Sequence, residues 1–198
     1  RAHRVTYVGE LGWELYIPAD MSAHVFETLI ARRAEHPMAL CGLHALDSCR
    51  IEKAFRHFGH DISNEDHVLE AGLGFAVKED KPAGRFGGMI GADAVRAKRN
   101  DGLAQRLMQF RLKDPQPLLY HNEAILRDGE LIGYLTSGNY GHHLGAAIGL
   151  GYVKCAAVSE TAQQQLQSNY QIDVAGQLVD AEVSFRPMYD PKALQIRL

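Results

Sequence analysis

The sequence predicts an α+β chain, with helical periodicity in its first half and short alternating strands in its second. Two observations carry this. Apolar residues recur at helical spacing over Asp20–Ala34 and again from Gly42 to about Phe55. From Leu103 onward, apolar and polar residues alternate in short runs broken by turn residues. Asn100-Asp101-Gly102 lies at the change and reads as a turn, so the expected division is residues 1–99 and residues 100–198.

The first element is Arg4–Ile17, where two alternating apolar runs flank a turn holding Gly9 and Gly12, the pattern of a β-hairpin. A tight turn there folds Tyr7 and Glu14 back toward each other. Met21, Val25, Phe26, Leu29 and Ile30 then fall at helical spacing, with Asp20 placed to cap the start and His36-Pro37 to end the helix. Leu43, Leu46, Cys49 or Arg50, and Ala54 repeat the rhythm in a second helix. Residues 59–67 are polar and read as a loop, Phe75-Ala76-Val77 as a short strand, and Asp93–Arg99 as a helix. Strands are expected over Leu103–Leu112, Glu123–Leu126, Leu131–Leu135, Ala146–Val153, Tyr170–Val174 and Leu178–Phe185. Asp128-Gly129 is a tight-hairpin signal between two of them, and Gly176 does similar work later. Many short strands separated by turns suggest a small β-barrel or a sandwich.

Composition narrows the function class. Nearly half of the 198 residues are apolar (46%) and the net charge is −3, which fits a globular protein with a sizeable core. Slight acidity gives no electrostatic reason to expect nucleic acid, and no apolar run approaches a membrane span. Cys41, Cys49 and Cys155 are odd in number and lack zinc spacing. The first two are expected as small buried hydrophobes, and a reducing compartment follows, cytoplasm or mitochondrial matrix. The chain opens on Arg1 inside a motif, as a piece of a longer protein would.

Several groups could carry chemistry. Tyr7 and Glu14 could grip a flat heterocycle, the ring packing on its face while the carboxylate accepts from its N–H groups; from periodicity alone an ordinary hairpin with a solvated glutamate is the favoured reading. Glu10 is expected to fix the turn. Arg50, flanked by Asp47 and Glu52 on a helix, is expected as their ion-pair partner. His57, His60 and Asp61, with Asp66-His67 nearby, supply imidazoles and carboxylates, but the spacing does not put the rings on one face, and no metal is expected. His142 and His143 cannot both point inward from one strand. Gly72-Leu73-Gly74 and Gly84-Arg85-Phe86-Gly87-Gly88 lack the strand, spacing and helix of a dinucleotide-binding turn.

Four blocks, in order along the whole chain, resemble a known family. Tyr7-Val8-Gly9-Glu10-Leu11-Gly12-Trp13-Glu14 resembles the Y-T-G-E-x-G-[FY]-E signature of the aminomethyltransferases, the T-protein of the glycine cleavage system and its relatives. Cys41–Lys53 with Arg56–Ile62 is the second block, and Leu69–Lys78 the third. Gly133–Gly138, Ile148–Val153 and the closing Pro187-Met188-Tyr189-Asp190-Pro191 form the fourth. The Arg-Ile-Glu-Lys and Arg-His-Phe-Gly-His-Asp runs are closer to the C-terminal part of sarcosine and dimethylglycine dehydrogenases than to a free-standing T-protein.

The resemblance implies the C-terminal part of a folate-binding domain followed by a small antiparallel Greek-key β-barrel. It implies that Glu14 binds the pterin ring of tetrahydrofolate and that Tyr7 lines the same pocket. Leu46 stands where T-proteins carry a folate-holding arginine; the amine-dehydrogenase branch is laxer at this position, and one polar contact to folate is lost. Phe55 stands where the family often has tyrosine near the ligand, and core packing is its expected role. The implied reaction is flavin oxidation of an N-methyl amine, with tetrahydrofolate capturing the one-carbon unit as 5,10-methylene-tetrahydrofolate. FAD and the amine then belong to an N-terminal flavin domain, and the family's catalytic aspartate to a first subdomain preceding Arg1, so no residue here is named as catalytic. The alternatives are a free-standing T-protein or folate-dependent demethylase, or a non-catalytic folate-binding or scaffold module.

Overall fold

The computed structural model describes residues 1–82 and 87–198. Gly84, Arg85 and Phe86 of the second glycine-rich run lie outside the described residues. The second half is a closed barrel of six antiparallel strands, β3 (Gln105–Leu112), β4 (Ala124–Arg127), β5 (Glu130–Gly141), β6 (Ala146–Lys154), β7 (Tyr170–Val174) and β8 (Gln177–Ser184). Their order around the barrel is β3-β6-β5-β4-β7-β8, and β3 pairs with β8 to close it. Hairpins join β4, β5 and β6, while β3 crosses to lie beside β6, which is the Greek-key path.

Local chemistry explains the strands. Asp128 and Gly129 both adopt positive φ (51° and 89°) between paired Arg127 and Glu130, the two-residue loop whose twist matches an antiparallel hairpin. Ala175-Gly176 repeats the device between β7 and β8. Alternate residues point inward, so Phe110, Leu112, Ile125, Leu135, Ala147, Val153 and Ile172 fill the interior with almost no exposure. Strand β5 runs well past the predicted Leu135. Apolar alternation stops at Thr136-Ser137-Gly138, but the ladder continues through a register shift between Leu135 and Ser137. Gly138 is required there, because a Cβ would fall 2.7 Å from the Tyr120 nitrogen.

The first half departs from expectation in several places. The ladder of β1 (Ala2–His3) and β2 (Glu14–Leu15) has only two pairs, Ala2 with Leu15 and His3 with Glu14. The intervening residues form a wide excursion rather than a tight turn. Helix α1 (Ser22–Ala31), between short 3-10 turns, buries none of its residues, so its apolar stripe, including Phe26 and Leu29, lies open. Asp20 does not cap it: Asp20 sits inside the 3-10 turn Ala19–Met21, and the cap position falls on Met21 without a side-chain bond. Cys41 is exposed because the 37–42 approach to α2 (Leu43–Glu52) runs over the surface, and Cys49, within α2, is only half-buried. Phe75 belongs to a 3-10 turn, Gly74–Ala76, closed by Val77 N–H to the Gly74 carbonyl; it is not in a strand. Helix α3 (Ala92–Asp101) absorbs Asn100 and Asp101 of the predicted turn, and Gly102, at φ 89°, ends it. A short helix, α4 (Ala162–Leu166), went unpredicted although Thr161 and Gln164 form a reciprocal capping box.

Helix α2 joins the two halves. Ile51 and Ala54 pack on Leu107, Ile148 and Leu150 of the barrel wall. Beside them, Arg50 is 2% exposed and engaged through all three nitrogens: Nε donates to Asp47 Oδ1 (2.9 Å), Nη1 to Asp61 Oδ2 (2.5 Å) and the Phe55 carbonyl (3.1 Å), and Nη2 to Ser137 Oγ (2.7 Å). Asp61 also accepts from Thr136 Oγ1 (2.5 Å), Ser137 Oγ (2.7 Å) and the His57 N–H (2.9 Å). The expected Arg50–Asp47 contact is present. The expected Arg50–Glu52 contact is not, because Glu52 faces the other way and accepts from the His143 and Leu144 N–H groups and the His143 imidazole.

Removing one member of a buried pair leaves the other charge uncompensated, at about 3–5 kcal/mol. Asp61→Ala is therefore expected to lower unfolding stability by about that amount in urea titration. A loss of about 1 kcal/mol or less, the scale of an exposed pair, would show that the junction does not depend on it.

Candidate functional site

Tyr7 and Glu14 have different partners. The Tyr7 hydroxyl donates to the Arg56 carbonyl (2.9 Å), and its ring lies parallel to Phe55 at 6.2 Å and edge-on to His57 at 6.4 Å. Partial burial pushes its phenol pKa up. Phe55 is thus half-buried packing for Tyr7, in keeping with the packing role expected of it. Glu14 is exposed; its Oε2 accepts from the Tyr16 hydroxyl (2.9 Å), and its Oε1 has no hydrogen-bond partner among the described residues. The cross-strand neighbour of Glu14 is His3, not Tyr7, since the ladder ends at that pair. No hydrogen bond or ring contact joins Tyr7 to Glu14 among the described residues.

Two tertiary contacts shape the turn instead. Gly9, at φ 83°, lies so close to Lys53 that a Cβ would fall 2.0 Å from Lys53 Cγ. Glu10 accepts from the Tyr189 hydroxyl at 2.6 Å, which gives it the turn-fixing role expected of it through a partner the sequence did not suggest.

A cleft of about 550 Å³ opens between α2 and the barrel. His44 and Asp47 of α2, His57 and His60 of the following loop, Tyr120 and His121 before β4, and Thr136–Tyr140 of β5 line it. Tyr7 reaches its edge through His57, whereas Glu14 is not part of its wall. The His57 and His60 rings sit 4.4 Å apart. His67 Nδ1 accepts from the Leu69 N–H, which turns that ring into its own loop. Of the remaining pair, His142 meets the Tyr140 ring and His143 binds Glu52. No cluster of three metal-ligating side chains is present among the described residues. Sequence reading singled out His57 and His60 but missed His44, Tyr120, His121 and Tyr140. These come from three separate segments, and no local pattern links them.

The Glu14 carboxylate fits a heterocycle bearing N–H donors: Tyr16 holds one oxygen, and the other has no partner among the described residues, so it can accept without first losing one of them. The Tyr7 ring, its hydroxyl already satisfied, offers an oriented aromatic surface.

Comparison with known proteins agrees with the fold. The GCVT N-terminal domain family matches residues 1–81, and the glycine cleavage T-protein C-terminal barrel domain family matches residues 105–190. The chain is 41% identical, over 98% of its length, to 4-methylaminobutanoate oxidase (formaldehyde-forming) of Paenarthrobacter nicotinovorans, covering 22% of that protein. It is 31% identical over its whole length to mitochondrial sarcosine dehydrogenase of Homo sapiens, covering 21%. Over 76% of its length it is 37% identical to aminomethyltransferase of Halothermothrix orenii, covering 41%. The chain thus spans about a fifth of the amine-oxidising relatives and less than half of the aminomethyltransferase. The crystal structure of glycine cleavage system aminomethyltransferase T from Bartonella henselae superposes with a TM-score of 0.77 at 23% identity, over 94% of this chain and 48% of that one, a likeness of fold. With its ordered motifs, its barrel and matches to both domains of the T-protein, the chain belongs to the aminomethyltransferase (glycine cleavage T-protein) family and is related to the C-terminal regions of sarcosine and dimethylglycine dehydrogenases.

Proposed function

We propose that this chain is the folate-binding, one-carbon-transfer part of a longer flavoenzyme that oxidises a small N-methyl amine. The observation that carries the reading is Glu14: the signature carboxylate has an unengaged oxygen and a hydrogen-bonded orienting partner, Tyr16. Glu14 accepts from the N–H edge of the pterin, and Tyr7, fixed by Phe55 and the Arg56 carbonyl, packs on the ring. When bound, tetrahydrofolate supplies the nitrogens that take up the one-carbon unit. The contribution of Glu14 and Tyr7 is to orient it, which converts an encounter in solution into a reaction at fixed geometry. FAD and the amine site belong to an N-terminal flavin domain of the longer protein, as the lengths and names of the amine-oxidising relatives support. The division into residues 1–99 and 100–198 is part of this reading, as is a reducing compartment, cytoplasm or mitochondrial matrix.

A second reading has one observation in its favour. The bacterial relative at 41% identity is named as formaldehyde-forming, so a chain of this kind could serve as a binding or scaffold module without capturing the one-carbon unit. Formaldehyde release during amine turnover separates the two: capture predicts that added tetrahydrofolate suppresses it, and undiminished release would favour the scaffold.

In the full-length protein, Glu14→Gln replaces a charged acceptor with an amide whose NH2 faces a donor. A hydrogen bond to a charged group contributes about 1.5–3 kcal/mol, so tetrahydrofolate affinity should fall on the order of tenfold or more while flavin-dependent amine oxidation continues. Titration calorimetry reads this directly, and an unchanged affinity would remove Glu14 from the site. For His57, His60 and His67, the expectation is no bound metal in elemental analysis of untagged protein. Stoichiometric zinc or iron, lost in His60→Ala, would reverse it.

A further inference from the structure

The segment carrying Tyr7 and Glu14 is held by very little of its own secondary structure. Its ladder has two pairs, and a two-stranded hairpin alone is marginal even when longer. Its order comes from contacts far away in sequence: Tyr7 binds the Arg56 carbonyl, Gly9 rests on Lys53, and Glu10 meets a residue near the end of the chain. The Tyr189 hydroxyl donates to Glu10 Oε1 at 2.6 Å. One face of the Tyr189 ring stacks on His143 at 4.0 Å and 17°, and the Lys53 ammonium lies 5.5 Å from the ring centroid. His143 is fastened to the buried Glu52, and Lys53 to the carbonyl and carboxylate of Asp190, each at 2.9 Å. Gly9 rests on the stem of the same Lys53. Excursion, α2 and barrel therefore meet at Tyr189.

We propose that Tyr189 is a positioning residue: through Glu10 it latches the Gly9–Glu14 excursion onto α2 and so presets Tyr7 and Glu14 for their ligand. Its own contacts are with Glu10, His143 and Lys53, so it acts on Tyr7 and Glu14 through the segment that carries them. The hydrogen bond to Glu10 pushes the phenol up to about 12, from an ordinary value at which it is already protonated and donating in the neutral range. Presetting matters because ordering a loop at the moment of binding subtracts from affinity. The ligand half of the proposal rests on the folate reading above; the latch itself does not.

Trp13, the single tryptophan of the chain, lies between Glu10 and Glu14 and is 60% exposed, so its fluorescence anisotropy reports the order of the excursion without any folate. Tyr189→Phe removes only the hydroxyl and keeps the stack on His143. In this chain it should lower Trp13 anisotropy while leaving the far-ultraviolet circular dichroism of the barrel unchanged. Glu10→Ala should match it, Glu10→Gln should recover most of the loss by keeping an acceptor oxygen, and the double variant Tyr189→Phe/Glu10→Ala should fall no further than either single one. Unchanged anisotropy in Tyr189→Phe, or singles that simply add, overturns the latch. In the full-length protein, Tyr189→Phe should raise the tetrahydrofolate dissociation constant by roughly threefold to tenfold with amine oxidation unaltered. Lowered anisotropy with unaltered folate affinity overturns the positioning role. Failure of the Glu14→Gln test would instead strike the folate reading and leave the Trp13 result standing.

Discussion

The buried Arg50–Asp61 pair is the constraint on which the rest of the molecule depends. Two charges removed from water are tolerable only when every donor and acceptor they carry is matched, and here both partners are nearly fully bonded. The matching groups come from a helix, the loop that follows it and a barrel strand. None of the three can shift without exposing a buried charge to an apolar neighbour. This explains why β5 continues through Thr136 and Ser137, which contribute little to the core: their hydroxyls complete the coordination of Asp61 from the barrel side. A register fixed by apolar alternation alone would end at Leu135.

The same junction extends along α2. Two and three residues beyond Arg50, Glu52 and Lys53 are also buried; Glu52 bonds to His143 in the β5–β6 turn, and Lys53 to Asp190, which follows the last barrel strand. Gln109 on β3 spans the gap, its amide N–H donating to the Ile51 and Glu52 carbonyls at the helix end and its carbonyl accepting from the Met188 N–H. Polar residues, not apolar ones, thus make the specific part of the contact between α2 and barrel. Apolar packing of Ile51 and Ala54 supplies non-directional attraction, whereas the ion pairs and capped carbonyls admit one arrangement. The cleft beside this junction inherits its shape from it, since Asp47, Arg50, Thr136 and Ser137 belong to both.

The open apolar stripe of α1 has a different meaning. Helices this short are marginal in water without a packed face, and α1 buries none of its residues here. The pattern of Val25, Phe26, Leu29 and Ile30 specifies a helix as clearly as any segment of the chain, yet pattern alone does not supply the surface it should meet.

What the sequence determined by itself is what short-range chemistry determines. Asp128-Gly129 and Gly176 marked tight turns because positive φ is cheap for glycine, and strand alternation located the short strands while leaving barrel or sandwich open. Helical spacing located α1, α2 and α3 to within a few residues. The signature Tyr7-to-Glu14 and the blocks after it were enough to indicate the family. What the tertiary structure decided is wherever a partner lies far along the chain. Asp61 rather than Glu52 answers Arg50, Tyr189 answers Glu10, and the cleft wall draws His44, Tyr120, His121 and Tyr140 from segments with no common pattern. Even the hairpin followed this rule. Its residues alternate well enough for a long ladder, but Gly9 seated on Lys53 and Tyr7 bonded to Arg56 draw the excursion onto α2, and only two pairs remain. Local propensity is worth tenths of a kcal/mol per residue, whereas a buried charge left unmatched costs several. Where the two compete, the distant partner sets the geometry.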